Sequence, residues 1–205
     1  MVEKMRVTRG FGLLEGFLAK KRAALANSLI PAGLRTDRIL DIGCGSTPFF
    51  LLNTVFKEKY GLDQGIHDSA NKQYIREQNM CIVDFNLGGD TMLPFDDEYF
   101  SVVTMLAVIE NITSSETPAI VHEIMRVLKR GGVYIVTTPA PWTNRLLRLM
   151  AFAKLVSPEE IDDHKSAYDS RSLRSIIHEG GFATEKIQSG YFEGFVNVWA
   201  TARKE

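Results

Sequence analysis

The chain has 205 residues, 45% of them apolar and 24% charged, the balance of a globular protein with room for one large sheet and its covering helices. A net charge of −1 gives the surface as a whole no pull toward nucleic acid or anionic lipid. Two cysteines, Cys44 and Cys81, and four histidines lack the number and spacing of a disulfide framework or a metal site, so no metal is expected.

The opening MVEKMRVTRG carries charges where a signal peptide needs an apolar core, and no apolar run is long enough to span a bilayer. A cytoplasmic location is expected. From Phe11 to Leu29 the residues Leu14, Phe17, Leu18, Lys21 and Leu25 recur near helical spacing, which predicts an amphipathic helix. Lys20, Lys21 and Arg22 form a basic cluster on it, and Pro31 and Gly33 end it. Strand and helix then alternate. Arg38–Ile42 reads as a strand, Thr47–Phe56 as a helix, Tyr60–Asp63 and Cys81–Asp84 as strands around a polar stretch from His67 to Gln78. Phe100–Val108 is an apolar run suited to a central strand buried on both faces. A helix over Pro118–Lys129 stops at Gly131-Gly132, and Val133–Thr138 is the next strand. Such alternation predicts right-handed βαβ units and a mostly parallel, doubly wound α/β sheet. The tail differs: Thr184–Phe192 and Phe195–Arg203 read as a hairpin joined through Glu193-Gly194. No linker divides the chain, so residues 1–205 are expected to form one domain. Its parts are a helical cap over 1–33 and an insert over 139–170.

In a parallel sheet, ligands bind beyond the carboxyl ends of the strands. Asp41-Ile42-Gly43-Cys44-Gly45 ends the first strand, and its glycines allow a tight turn and close approach of a ligand. Asp63 ends the second strand, where a carboxylate can accept hydrogen bonds from both ribose hydroxyls. Asp84-Phe85, after the third, offers adenine one acceptor and one apolar face. Together they describe an adenosine site. A dinucleotide is disfavoured, because Pro48 stands where the fingerprint needs a third glycine and removes an N–H from the turn.

Four segments, in order, resemble the class I methyltransferases that use S-adenosylmethionine, especially the small-molecule type related to quinone biosynthesis. They are Ile39–Gly45, Leu93–Val103 (LPFDDEYFSVV), Glu123–Gly132 (EIMRVLKRGG) and Leu173–Phe182. The sequence departs from the family pattern at Glu110-Asn111, where many members have Glu-His. Arg130 replaces a proline, and Ser101 replaces an aspartate. The resemblance implies a Rossmann-like seven-stranded sheet with helices on both faces, ending in an antiparallel hairpin. It also implies S-adenosylmethionine as cofactor, S-adenosylhomocysteine as product, and a cofactor site made from Asp41, Gly43, Cys44, Gly45, Asp63, Gln64, Asp84, Phe85 and Leu106.

The acceptor side is expected from the first helix, the loop after Leu106-Ala107, and the stretch from Pro139 to Tyr168. In that stretch Leu146, Leu147, Leu149, Met150 and Phe152 read as an apolar lid, which favours a small or lipid/glycan-linked acceptor. His164 is the candidate base or acceptor ligand, with Trp142, Tyr168 and Glu110 as further pocket residues; the alternatives are a loop-capping histidine and core aromatics. Two rival functions keep the fold. One is a protein that binds the cofactor or its demethylated product without transferring a methyl. The other is a nucleic-acid methyltransferase, disfavoured by the missing basic-aromatic stripe.

Overall fold

A computed structural model describes residues 15–64, 80–87, 92–143 and 165–205. The polar stretch His67–Gln78, the apolar run Leu146–Phe152, and His164 lie outside the described residues. Seven strands form one sheet: β1 (Arg38–Ile42), β2 (Glu58–Asp63), β3 (Met80–Asp84), β4 (Phe100–Leu106), β5 (Leu128–Pro139), β6 (Ile187–Phe192) and β7 (Asn197–Arg203). Their order is β3-β2-β1-β4-β5-β7-β6. The first five run parallel, and β7 pairs antiparallel with both β5 and β6. The strand order reverses beside β1 and β4, which puts the switch-point crevice above these two strands.

Alternation along the buried strands sends side chains to two cores. Leu40, Ile42, Val103, Met105, Tyr134 and Val136 meet the helices α3 (Thr117–Val127) and α4 (Ser170–Glu179). Ile39, Val102, Val133 and Ile135 face α1 (Glu15–Leu29) and the short α2 (Phe49–Leu52). Helix α1 buries Ala23 and Ala26, with Ile30 buried just after it, while Phe17 from the leucine-rich stripe is 54% exposed. Small residues at that seam let the helix lie close to the β-branched sheet face, so the packing face is the alanine side. Helix α4 begins in a capping box: Asp169 accepts from the Ser172 N–H, and the Ser172 hydroxyl accepts from the Asp169 N–H.

The predicted end of the third helix is corrected. The chain leaves helical geometry at Leu128 and is strand from there, so Gly131-Gly132 lies within β5. Gly131 has φ +75, and a Cβ on Gly132 would sit 2.8 Å from the Lys129 carbonyl oxygen and 3.0 Å from that of Ser101. The register with β4 slips at this point, between Phe100 and Val102, so the glycine pair serves a strand irregularity.

Two of the four family-like segments clamp each other at the amino edge of the sheet. Glu123 accepts the Leu93 N–H at 2.9 Å. Arg126 donates to the Leu93 and Phe95 carbonyls at 3.0 and 2.8 Å, to Asp97 at 2.7 Å, and to both oxygens of Glu123. Ser101, which departs from the family's aspartate, donates to the Leu34 or Arg38 carbonyl at 2.9 and 3.0 Å and ties the turn before β1 to β4.

Candidate cofactor and active site

The residues expected to bind the cofactor converge on the carboxyl ends of β1, β2 and β3. Gly43 and Gly45 have φ of +74 and +75, a region costly to a side chain-bearing residue. The two glycines do different work. A Cβ on Gly43 would come within 2.2 Å of Val108 Cγ2, so this glycine lets the loop after β4 press against the loop after β1. A Cβ on Gly45 would have nothing closer than 3.8 Å, which leaves the space beside its backbone clear for a ligand. The Gly43 and Cys44 N–H groups both donate to the Leu62 carbonyl, at 2.7 and 3.2 Å, fastening the loop to β2. Cys44 is buried, and its sulfur occupies the space that a Cβ on Gly61 would need, 2.6 Å away.

Asp63 is 8% exposed, and one of its carboxylate oxygens accepts the Gly45 N–H at 2.7 Å. Strand pairing sets Asp63 beside Asp84, with the Phe85 N–H bonded to the Asp63 carbonyl at 2.9 Å. Asp84 and Gln64 are exposed, and Phe85 is half-buried against the main core. Asp41 is 3% exposed and accepts the Thr104 hydroxyl at 2.6 Å. Burial pushes its carboxyl up to about 7; the Thr104 hydrogen bond opposes that rise, and the neighbouring charge of Asp63 adds to it. Sequence reasoning missed Thr104. The available signal was a hydroxyl inside the apolar run Phe100–Leu106, in register with Asp41.

These residues fit S-adenosylmethionine. Asp41, Asp63 and Asp84 ring the glycine loop, a field that attracts a sulfonium and an ammonium and repels a pyrophosphate. Helix α2 has four residues and starts after Pro48, with no side-chain cap, so its end is too short and lacks the donor to cradle phosphate.

On the acceptor side, the chain turns sharply after β4. Ala107 has φ +57 and donates to the Thr137 carbonyl at 2.9 Å, and a 3₁₀ turn over Ile109–Asn111 follows. Glu110 is 3% exposed, and its carbonyl accepts the N–H groups of Lys165 and Ser166 at 2.8 and 2.9 Å. Leu106, the last residue of β4, is half-buried against the second core. Tyr168 is seated in the core, its hydroxyl 3.1 Å from that of Thr117, so its ring serves packing. Trp142 is 53% exposed at the carboxyl edge and donates its indole N–H to the Phe195 carbonyl at 3.1 Å. Among the described residues, no cluster of metal-ligating side chains occurs, and no helix is long and apolar enough to cross a membrane.

The methyltransferase domain family matches residues 40–136, from within β1 to the middle of β5. The match supports a class I S-adenosylmethionine-dependent methyltransferase. It is 29% identical to the demethylmenaquinone methyltransferase of Symbiobacterium thermophilum, over 57% of this chain and 48% of that protein. It is 31% identical to the 2-phytyl-1,4-naphtoquinone methyltransferase of Synechococcus elongatus, over 55% and 48%. The alignments thus span about half the length of these curated relatives. In three dimensions it is similar to a SAM-dependent methyltransferase from Thermotoga maritima. The TM-score is 0.65 at 16% identity, covering 90% of this chain and 87% of that one, a likeness of fold. The order 3-2-1-4-5-7-6 with a reversed seventh strand is how this chain realises the class I methyltransferase sheet.

Proposed function

We propose that the protein transfers a methyl group from S-adenosylmethionine to a small-molecule or lipid-linked acceptor. The observation that carries this reading is the ring of three carboxylates around a glycine loop that offers no phosphate cradle. The relatives named for quinone substrates support a small acceptor. S-adenosylmethionine, when bound, supplies a methyl carbon made electrophilic by its positive sulfur. The tasks left to the chain are alignment and exclusion of water. In this reading Asp63 and Gly45 hold the nucleoside, Asp41 faces the ammonium, and the 107–111 turn holds the two reactants in line. His164 is the proposed base where the acceptor must lose a proton. The test is transfer of labelled methyl groups to cell extract split into lipid, glycan and small-molecule fractions. Label in one fraction supports the proposal; tight cofactor binding with no labelled product in any fraction shows a binding protein instead.

Asp41 makes cofactor affinity depend on pH. In the cofactor-free protein its carboxyl is largely neutral below about 7 and ionised above it. A cation prefers the ionised form, so S-adenosylmethionine binds more tightly as pH rises from about 6 to about 8. The same raised pKa has a cost: the stability this neutral acid contributes is present below the ordinary carboxylate range and lost as pH rises through about 7. Calorimetric titrations across this range, run in parallel on Asp41→Asn, check the first point, because the cofactor's own titration is common to both proteins. A slope that persists unchanged in Asp41→Asn places the ammonium elsewhere.

A further inference from the structure

Apolar exposure on this molecule is sorted by residue type. The exposed large apolar side chains among the described residues are Phe17, Val55, Met92, Trp142, Tyr191 and Phe195. The aliphatic ones, Val55 and Met92, precede β2 and β4 and lie toward the amino edge of the sheet. Three of the four aromatics lie at the carboxyl edge, with the glycine loop. Trp142 follows β5, and Tyr191 and Phe195 belong to the end of β6 and the turn into β7. That turn is on the same edge, because β7 starts opposite Pro139. Helix α1 runs away from the amino edge. Its last turn is tied there by Asn27, which bonds the Asn53 carbonyl and Thr54, so Phe17 lies about 15 Å back along the helix axis from that tie at 1.5 Å per residue.

Three of these aromatics form one built patch. The Trp142 indole is held on the Phe195 carbonyl at 3.1 Å, and the Tyr191 and Phe195 rings have centroids 5.7 Å apart. The turn that presents them is strained: Glu193, Gly194 and Phe195 all have positive φ, at 53, 65 and 69. Two of the three carry side chains that disfavour this geometry, and the result is a phenylalanine held 66% exposed. Exposed, contiguous aromatics signal a partner. Their chemistry names it: Trp and Tyr, each an apolar ring with one polar atom, belong at the level where lipid headgroups meet hydrocarbon. Lys20 and Lys21, both exposed beside Phe17, add cations suited to phosphate headgroups, with Lys21 5.4 Å from the Phe17 ring.

We infer that the carboxyl edge docks on the surface of a lipid bilayer, with Trp142, Tyr191 and Phe195 entering the interface and α1 flanking them. Docking there sets the mouth of the catalytic crevice against the membrane, which names the source of the acceptor in the function proposed above: a lipid-linked molecule taken from the bilayer. Aromatic insertion carries the binding, so it persists at high salt, where a purely ionic attachment is screened.

The experiment is flotation of the full chain with vesicles of phosphatidylcholine and phosphatidylglycerol, without cofactor or acceptor. Wild type is expected to float at low and high salt. Trp142→Ala combined with Phe195→Ser is expected to lower partitioning about tenfold or more, with an unchanged circular dichroism spectrum and melting temperature. Should that pair disturb the fold, Trp199→Phe leaves Trp142 as the sole tryptophan, whose emission shifts to the blue on vesicles and is quenched by brominated lipid. Wild type that stays with the soluble fraction overturns the inference. So does flotation equal in the folded double variant, emission blind to lipid, or a dimer in solution that the double variant abolishes. None of these outcomes bears on methyl transfer to a water-soluble acceptor, so the proposed function stands or falls separately.

Discussion

Arg126→Ala is expected to lower the stability of the fold by roughly 3 kcal/mol, the scale of breaking a partly buried ion pair and its hydrogen-bond network. The guanidinium is 23% exposed and Glu123 is 14% exposed, so water replaces little of what is lost. Two carbonyls, Leu93 and Phe95, each lose the Arg126 donor, and Glu123 is left with a half-buried charge beside the Leu93 N–H. The Arg126 guanidinium also holds the Glu123 carboxyl below its ordinary range. Its contribution is therefore present above that range and fades as acid protonates Glu123. Urea unfolding near neutral pH checks the magnitude. The folded fraction should still bind S-adenosylmethionine with wild-type affinity, because the clamp sits at the amino edge, across the sheet from the glycine loop. A variant of unchanged stability contradicts the clamp, and one that is stable but unable to bind places it in the cofactor site.

Asp63→Ala is expected to weaken cofactor binding by roughly 1.5–3 kcal/mol, about 10- to 150-fold, from lost charge-assisted hydrogen bonds. One Asp63 oxygen orders the loop through Gly45, and in the proposed site the carboxylate also accepts from the ribose. Asp63→Asn separates the two uses. Its amide oxygen can still take the Gly45 N–H, while the charge and one acceptor are gone, so its affinity should fall between those of wild type and alanine. Titration calorimetry on the folded variants measures both. Wild-type affinity in Asp63→Ala contradicts the placement of the nucleoside.

Sequence alone was informative where one physical rule dominated. The strand Arg38–Ile42 was legible to the residue, because β-branched residues run straight into a glycine turn. The terminal hairpin was legible from two alternating runs around Glu193-Gly194. Reading failed where packing overrode local pattern. The leucines of α1 suggested its buried face, yet Ala23 and Ala26 bring the helix close to the sheet. Gly131-Gly132 has the look of a helix stop, yet it relieves crowding where β5 slips against β4. At the site, the acids at the strand ends could be placed from spacing. Their partners could not. Thr104 meets Asp41 only through strand pairing 63 residues apart, and Val108 meets Gly43 only because two loops converge. Tyr168 stood among aromatics near the insert, but its hydroxyl found Thr117 and the core.

In the proposed function, the crevice above β1 and β4 grips a nucleoside without phosphates. Titrating the purified chain with S-adenosylmethionine, S-adenosylhomocysteine and NAD in separate cells tests it directly. One molecule of either sulfur compound is expected to bind per chain, with no saturable heat from NAD. Saturable binding of NAD, or no binding of the two sulfur compounds by the folded protein, contradicts it.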